Sequence, residues 1–364
     1  MKKISVYTRG TTHAASYYRV LQYTEKIKGA KITNRFTVTD KMFRKYSDSP
    51  TVICKIEYHL MIFFRNLCNF AADIISKPDT IVISRAAVPK VCVFPIDLMY
   101  EHILKNSNII WDFDDDIFEI NEITAAESRL LQKYSSRIIV TSDYLKNKLN
   151  KKCRNKVSLL PTTDGDLTVD NKNDFNRKRI DTFSERINIL WVGASSGLKH
   201  IKNIIPSLDK AAKAVYDKTG KKVTLTVICN LPLKYEPKYI SIRNILWARD
   251  IVLDEMLKAH IGIMPLLNTK RSMGKGGFKL IQYMATGLPS IASDVGINNT
   301  VVSDNETGVL VDDKENTEGG VDAVLKLSID RDKWEECSLT SIKKWEEDFS
   351  FDRNLEFWKK ILTE

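Results

Sequence analysis

Hydrophobic and polar positions alternate between two patterns along most of the chain. Short apolar runs, typical of buried strands, are each followed by a stretch with apolar residues three and four positions apart, typical of helices. In the first half the strand-like runs cover residues 3–8, 80–84, 108–111, 138–141 and 157–160, and the helical stretches cover residues 16–28, 95–105, 125–133 and 142–150. Strand then helix, repeated, predicts a parallel sheet with crossover helices.

A second series of the same kind follows a polar segment at residues 162–186, which is typical of a linker. Its strand-like runs cover residues 187–192, 223–229, 245–247, 261–265, 290–293 and 308–311, and its helical stretches cover residues 198–216, 251–259, 278–286, 320–327 and 345–362. We expect an α/β protein of two Rossmann-like, doubly wound domains that face each other across a cleft. The predicted domains are 1–175, which the C-terminal helix 350–364 joins, and 180–348. In such sheets ligands bind just outside the carboxyl ends of the strands.

The composition supports a folded chain of this size. The 364 residues are 43% hydrophobic and 28% charged, and two domains are expected for that length. The six cysteines are scattered without a Cys-x-x-Cys or Cys/His cluster, so free thiols are expected and no metal site is indicated. The N-terminal apolar run is too short for a signal peptide, which favours a cytoplasmic protein.

Charge and one long apolar stretch leave a membrane contact open. Residues 58–75 hold too many polar side chains to cross a bilayer, and their spacing favours a helix that faces the core over one lying on a membrane. Residues 1–180 carry 30 Lys and Arg against 20 Asp and Glu, whereas residues 181–364 carry 26 of each. No nucleic-acid-binding motif is present, so we expect an anionic membrane or a lipid-phosphate acceptor as the partner, with a merely solvated basic face as the alternative.

Two glycine turns in the second half lie where a strand is expected to end and a helix to begin. In the first, Gly276, Gly277 and Phe278 lie between Lys275 and Lys279. In the second, Ser195 and Ser196 precede Lys199 in the run 190–199. Glycines admit a ligand to backbone N–H groups, and helix N-termini and lysines favour phosphate, so both turns predict a diphosphate site. The alternative is an ordinary solvated helix start.

The segment 274–294 resembles the signature of glycosyltransferase family 4 and its relatives. In that signature a helix with E-x7-E precedes a Met-Ala-x-Gly-x-Pro turn, here residues 284–289, and the two glutamate positions fall on Gly274 and Gln282. The run 190–199 is similar to the family's Val-Gly-Arg-x4-Lys, with Lys199 kept and Ala194 in place of the Arg. The run 259–266 is similar to a further family strand, with His260 in a structural role. The resemblance implies a GT-B fold, a ribose bond from Gln282, transfer with retention and no essential metal.

An acidic run follows a predicted strand of the first half at Asp112, Asp114, Asp115 and Asp116. The run resembles the Asp-x-Asp metal motif of the other glycosyltransferase fold, GT-A. We reject that interpretation because the chain is predicted to contain two Rossmann-like domains. Similar sugar transferases often carry Asp-x-Asp-Asp here. This implies that Asp114 and Asp115 position the acceptor hydroxyl or stabilise positive charge on the sugar. The alternative is an acidic start of the next helix.

The loop after the first predicted strand adds further candidates. We expect Arg9, Gly10 and Arg19 to contact phosphate or the acceptor across the cleft. His13 is a candidate acid/base residue, although a lone loop histidine is more often only solvated.

These features together favour one function. We expect a glycosyltransferase that moves a hexose-type sugar from a nucleotide-diphosphate donor to a glycan or polyprenyl-phosphate-linked acceptor. Its role would lie in bacterial cell-surface polysaccharide or glycoconjugate biosynthesis, at the inner face of the membrane. A nucleotide-sugar epimerase of the same fold and a catalytically degenerate binding protein are the alternatives.

Overall fold

The chain forms two compact units, each built on a parallel sheet. The computed structural model describes residues 1–48, 51–167, 179–312 and 318–363. The first unit comprises Met1–Gly165, Gly274–Gly276 and Phe351–Glu364, and the second comprises Asp166–Met273 and Gly277–Ser350. The predicted boundary at residues 175–180 lies largely outside the described residues.

The sheet of the first unit has six parallel strands in the order β2-β1-β3-β4-β5-β6. The strands are β1 (Lys2–Thr8), β2 (Ala30–Phe36), β3 (Thr80–Ser84), β4 (Asn108–Phe113), β5 (Ser135–Val140) and β6 (Val157–Leu159). Every residue of β3 is buried, as expected for a central strand covered on both faces.

Helices cover the first sheet. The first, α1, begins as Ala14–Ser16, passes through a π-helical turn at Tyr17–Leu21 and continues as Gln22–Thr24. The others are α2 (Asp40–Asp48), α3 (Val52–Ser76), α4 (Ile96–Asn106), α5 (Ala125–Tyr134) and α6 (Asp143–Lys148). None of the helices in the described ranges combines the length and apolarity that a membrane span requires.

The second unit repeats the architecture with a sheet in the order β12-β11-β10-β7-β8-β9. Its strands are β7 (Arg186–Val192), β8 (Lys222–Cys229), β9 (Ser241–Leu246), β10 (Ile261–Met264), β11 (Ser290–Ser293) and β12 (Gly308–Val311). Its helices are α7 (Leu198–Thr219), α8 (Arg249–Lys258), α9 (Lys270–Met273), α10 (Phe278–Ala285), α11 (Asn298–Val301), α12 (Glu318–Ile329) and α13 (Arg331–Lys344). The two doubly wound sheets predicted from the sequence are therefore confirmed.

The last helix, α14 (Phe351–Thr363), packs in the first unit. Phe351, Trp358 and Leu362 are buried in a core cluster with residues of β1 and α1. Asn354 donates to the hydroxyl of Tyr23 (3.2 Å) and to the carbonyl of Pro161 (2.8 Å).

Some elements differ from the sequence-based expectation. The strand β2 and the helices α2 and α13 were not predicted; β2 and α2 contain no buried residue, so neither has the continuous apolar run of a core element. The predicted linker 162–186 is wrong at its end, because residues 179–183 are helical and Arg179 and Phe183 are buried. The rest of that segment includes residues outside the described ranges.

Each sheet has one point where the strand order reverses. In the first sheet it lies between β1 and β3, and in the second between β7 and β10. Loops that leave neighbouring strands in opposite directions open a crevice there at the carboxyl edge, which is where open α/β sheets bind ligands.

Candidate functional site

A cluster of charged side chains lies at the reversal point of the first sheet. Arg85 directly follows β3 and holds φ +62°, a left-handed conformation that is uncommon outside glycine. Its guanidinium makes two hydrogen bonds to Glu122, at 2.8 and 2.7 Å. The same group donates to Asp114 Oδ1 (2.6 Å) and Asp115 Oδ2 (3.3 Å). One buried arginine therefore holds three carboxylates.

Arg9 completes this charged cluster from the neighbouring strand. It follows β1, and its Nη2 lies 2.9 Å from Glu122 Oε1. Burial alone would raise the pKa of Glu122, but Arg85 and Arg9 outweigh it and hold that pKa below its usual range. Glu122 is therefore an ionised bridge between the two arginines.

The two aspartates predicted to act in catalysis have unequal environments. Burial raises the pKa of Asp114 even though Arg85 opposes the shift. Burial acts on Asp115 as well, but Lys275 and Arg85 outweigh it and leave the pKa of Asp115 lowered. Lys275 Nζ lies 3.5 Å from Asp115 Oδ2. Two adjacent carboxyls with pKa values pushed apart can divide the roles of proton acceptor and fixed charge.

His13 is held in the same region by its own helix. Its Nδ1 accepts the Ser16 backbone N–H (3.2 Å) and caps α1. The ring packs edge-on against Phe43, with 5.0 Å between centroids. Burial, followed by Arg9 and Arg85, lowers the pKa of His13 to about 3. At neutral pH the imidazole is uncharged, so it can donate through Nε2–H but is a weak base.

The structure contradicts the predicted contact of Arg19 with phosphate or acceptor. Arg19 is 1% exposed and pairs with Asp112, with Nη2 2.5 Å from Oδ1. Its Nη1 also donates to the carbonyl of Leu160 (2.6 Å). The Arg19 guanidinium is therefore neutralised inside the fold, where its bonds link α1 to β4 and to the residue after β6.

Gly10 has a local reason to be glycine. It holds φ +90°, and a Cβ there would collide with the carboxylate of Asp40. Asp40 accepts the backbone N–H groups of Thr11 (2.8 Å) and Thr12 (3.0 Å). The glycine thus lets Asp40 close the loop that carries Arg9 and His13.

In the second unit the loop after β7 is shaped by Trp191. A Cβ on Gly193 would lie 2.6 Å from the Trp191 ring, and one on Gly197 would lie 2.8 Å from it. The backbone therefore runs directly over the indole before Ser195–Gly197 turns into α7. Ser195 N–H donates to Asn230 Oδ1 (2.8 Å), which fixes the loop to the end of β8.

The loop before α10 needs glycine as well. Gly277 holds φ +68° at the N-cap of α10, and a Cβ there would lie 2.9 Å from Ile297. Lys279, in the first turn of α10, lies beside the other loop, with Cε 3.1 Å from the position of a Cβ on Gly193. The structure thus brings the loop after β7 together with Lys279 at the reversal point of the second sheet.

The remaining predicted donor residues differ in exposure. Lys199 and Ser196 are exposed, whereas Ser195, Phe278 and Lys279 are partly buried. Gln282 is 6% exposed, which leaves little of its amide at the surface. Gly276 belongs to the first unit, where a Cβ on it would lie 2.9 Å from the carbonyl of Asp114.

Both helices at this reversal point begin without a side-chain cap. The N-caps of α7 and α10 are Gly197 and Gly277, and neither offers a side-chain hydrogen bond. Serine, threonine or aspartate side chains cap α3, α5, α6 and α13, whereas α4, α8 and α11 also begin without a side-chain cap; what α7 and α10 share is a glycine N-cap at the carboxyl edge of the sheet. The positive end of a helix favours an anion, and glycine lets the anion approach the backbone closely. The two helix starts are therefore suited to a diphosphate.

No group of three or more His, Cys, Asp or Glu among the described residues could hold a metal ion. Arginine and lysine neutralise the carboxylates after β4 instead: Arg85 binds Asp114, and Lys148 Nζ lies 2.8 Å from Asp116. The six cysteines are all free thiols.

Solved structures share this fold over the whole chain. HepE from Anabaena, solved in complex with UDP-glucose, is 11% identical with a TM-score of 0.66, and the match covers 100% of both chains. Sucrose-phosphate synthase from Thermosynechococcus elongatus is 12% identical with a TM-score of 0.66, covering 99% of this chain and 98% of that one. A glycosyltransferase from Rickettsia africae is 12% identical with a TM-score of 0.63, covering 99% and 97%. At such identities the likeness shows the GT-B fold.

A family model adds the activity. Residues 186–330 match the model of glycosyl transferases group 1. The protein is a GT-B glycosyltransferase. Its matched segment holds both uncapped helix starts, Lys199 and Lys279. A search of curated proteins by sequence gave no match.

Three polar residues of this glycosyltransferase were missed by sequence reasoning. Arg85 directly follows the buried strand β3, and Asn230 directly follows β8. We selected polar residues just after β1, β4 and β7 because ligands bind outside the carboxyl ends of strands. The same criterion, applied to β3 and β8, would have selected both residues. Glu122 offered no such signal. It lies in the irregular segment after β4, and only the folded chain brings it to Arg85 and Arg9.

Proposed function

We propose that this glycosyltransferase moves a hexose from a nucleotide-diphosphate donor to a glycan or polyprenyl-phosphate-linked acceptor in bacterial cell-surface polysaccharide assembly. The observation that supports this proposal best is the pair of glycine-led helix starts at the reversal point of the second sheet, inside the family-matched segment. UDP is the first nucleotide to test, because HepE was solved with UDP-glucose. Retention of anomeric configuration follows from the resemblance to family 4.

The donor diphosphate would lie over the N-termini of α7 and α10. Negative charge builds on the leaving diphosphate as its bond to the sugar breaks, and fixed N–H groups and cations lower that barrier. Lys199 and Lys279 would supply positive charge there, and Ser195 and Ser196 would supply hydroxyl donors. Gln282 would bond the ribose after a side-chain rotation, because it is buried. Lys275, which lies against Asp115, would add charge next to the reacting centre.

Asp114 and Asp115 would act on the acceptor side. A carboxylate beside the attacking hydroxyl orients it and stabilises positive charge on the sugar. Asp114, with its raised pKa, is the better proton acceptor of the two, and the lowered pKa of Asp115 suits a permanent negative charge. Neutral His13 would donate a hydrogen bond rather than a proton. No step of this chemistry requires a metal ion.

The site of action would be the cytoplasmic face of the cell membrane. A polyprenyl-phosphate acceptor is anchored in the bilayer, and the excess of basic residues in the first half suits contact with anionic lipid. The protein would bind the membrane from one side without crossing it.

The donor assignment is tested by thermal stabilisation. Purified protein is melted with UDP, GDP, dTDP, ADP or CMP, each with Mg²⁺ or with EDTA. A ligand at 100 times its Kd stabilises the native state by about 2.7 kcal/mol. One diphosphate is expected to raise the melting temperature equally with and without Mg²⁺, and Lys199→Ala and Lys279→Ala are expected to reduce the shift.

Lys210→Ala is the matched control, because Lys210 is an exposed lysine on the same helix as Lys199. If no diphosphate stabilises the wild-type protein, the donor site is wrong. A shift without any donor hydrolysis or transfer would identify a degenerate binding protein. Where transfer occurs, the anomeric configuration of the product decides between retention and inversion.

A further inference from the structure

Helix α3 is apolar on two opposite faces. Its inner face buries Cys54, Tyr58, Ile62 and Phe70 in the core of the first unit. The opposite face carries Ile53, Ile56, Leu60 and Phe64, which are between 52% and 69% exposed. We call these four residues the outer stripe; their spacing of three or four positions places them on one side of the helix. A surface helix usually carries polar residues there.

A second group of exposed apolar side chains lies at the start of α4. Val93, Phe94 and Leu98 are between 55% and 76% exposed. Helix α3 contacts the loop between β3 and α4, because Asn66 donates to the carbonyl of Ala87 (2.6 Å) in that loop. Since α3 precedes β3 and α4 follows it, both helices begin at the carboxyl edge of the sheet, which is also the edge that carries Arg85. The helices that carry this apolar surface therefore begin at the same edge of the sheet as the candidate site.

Exposed basic residues are frequent on α3 and on the segments that precede α3 and α4. Exposed cations lie on α2, on α3 and in the loop before α4: Lys41, Arg44, Lys45, Lys55 and Lys90. The first hundred residues carry 16 Lys and Arg against 7 Asp and Glu, so most of the net charge of +10 belongs to this part of the chain. Apolar side chains flanked by cations match a bilayer surface of anionic lipid.

A second copy of the chain fits this surface less well. A two-fold contact places the same patch on both subunits, so the net positive charge of one patch would face that of the other. Like charges oppose such a contact, whereas anionic headgroups attract the same residues. The charge pattern therefore selects lipid over a homodimer.

We propose that the outer stripe, with Val93, Phe94 and Leu98, is the surface by which the protein docks on an anionic bilayer. This inference rests on the membrane contact proposed above and names its surface. Docking here holds the carboxyl edge of the first sheet against the lipid. Asp114 and Asp115 are then close to the headgroup region, where the phosphate of a polyprenyl acceptor lies.

Vesicle flotation with the full-length protein tests the surface. Vesicles contain either phosphatidylcholine alone or phosphatidylcholine with phosphatidylglycerol. The wild-type protein is expected to float with the anionic vesicles, less so at high salt. The variant Ile56→Gln/Leu60→Gln/Phe64→Gln should bind at least about tenfold more weakly, because three insertable apolar side chains are lost. The changes lie at exposed positions, so the variant should fold.

The control carries the same number of changes elsewhere: Leu159→Gln/Ile329→Gln/Leu339→Gln, all at exposed apolar positions. It should bind vesicles as the wild type does. Equal binding by the outer-stripe variant and wild type would overturn this surface while leaving the membrane contact in place. No binding by wild type would overturn both. A dimer that the outer-stripe variant dissociates, without vesicle binding, would assign the stripe to a second copy. The nucleotide-induced melting shift of each preparation reports on the donor site independently.

Discussion

Arg85 is the residue on which the charged cluster of the first sheet depends. Its guanidinium holds Asp114, Asp115 and Glu122 while its backbone adopts φ +62°. The indole N–H of Trp111 donates to the Arg85 carbonyl (2.8 Å), and the Arg85 N–H donates to the Asp112 carbonyl (2.6 Å). Left-handed backbone at a non-glycine residue costs of order 1 kcal/mol and persists where surrounding contacts impose it. Arg85 is thus a positioning residue for both aspartates.

Arg85→Ala is expected to lower the free energy of unfolding of the first unit by about 1–3 kcal/mol, because partly buried Asp114 loses its cation, whereas Arg9 and Lys275 still pair with Glu122 and Asp115. Urea unfolding followed by tryptophan fluorescence measures the loss. Arg137→Ala is the control, since Arg137 is an exposed residue of β5 that donates to the hydroxyl of Ser158 (2.9 Å). It should change stability by less than about 0.5 kcal/mol. Similar losses in both variants would contradict the assigned role.

His260 predicts a pH dependence of stability. It is fully buried; its Nδ1 accepts the Asn188 N–H (2.9 Å), and burial lowers its pKa to about 4. In the unfolded chain the pKa of His260 is about 6.5. On acidification the unfolded chain therefore takes up this proton at a higher pH than the folded protein does. The stability from neutral His260 is therefore present above about pH 6.5 and is lost as the pH falls towards the folded value. The loss is of the order of 3 kcal/mol.

His260→Asn separates this effect from the other titrating groups. The variant should be less stable than wild type at pH 7, because packing against Phe183 and Trp334 is lost. Its stability should fall less steeply between pH 6.5 and 4. Urea midpoints measured across that range give the difference, and parallel profiles for the two proteins would exclude His260 as the source.

At the scale of elements, the two helices of the candidate donor site begin with glycine for different reasons. Gly197 is required by the Trp191 ring beneath it, whereas Gly277 is required by its φ of +68° and by Ile297. Both helices therefore start without a side-chain cap. The sequence suggested this from the glycines and lysines, and the Trp191 ring under Gly193 and Gly197 belongs to the same short segment; the contact of Gly277 with Ile297 joins separate parts of the chain and is decided only by the fold.

Gly277→Ala is expected to weaken nucleotide binding as well as stability. Left-handed backbone with a Cβ costs about 1–2 kcal/mol, and displacement of Ile297 adds to it. Gly220→Ala is the matched control, because Gly220 also has positive φ, +73°, but a Cβ there meets nothing within 4 Å. It should cost only the backbone strain. Thermal melts with and without the stabilising diphosphate measure both effects; an equal nucleotide shift in Gly277→Ala and wild type would move the donor site away from α10.

At the scale of the molecule, the end of the chain returns to the unit in which the chain begins. Trp358 and Leu362 of α14 are fully buried, and the Tyr23 ring stacks on Phe351 with 5.0 Å between centroids. A sequence pattern shows that the last helix is amphipathic but gives no partner for its apolar face. The first core is therefore completed by residues more than three hundred positions away from β1.

Trp358→Ala should lower the stability of the first unit by about 3–5 kcal/mol through loss of a large buried side chain. The second unit should keep its nucleotide-induced stabilisation, since Trp358 packs only in the first core among the described clusters. Leu339→Ala, at an exposed position of α13, is the control and should be nearly neutral. Loss of nucleotide binding in a folded Trp358→Ala protein would contradict this separation.

The sequence by itself determined the two parallel α/β sheets, because strand and helix periodicity are local properties of the chain. It also determined which loops follow the strands, and hence that Arg9, Asp114 and Lys199 lie at carboxyl edges. Only the tertiary structure decided what those side chains meet. Arg19 was predicted to reach a ligand and instead neutralises Asp112 in the core, because long-range packing left that carboxylate buried. Burial and charge pairing depend on residues far apart in the chain, and a local pattern does not contain them.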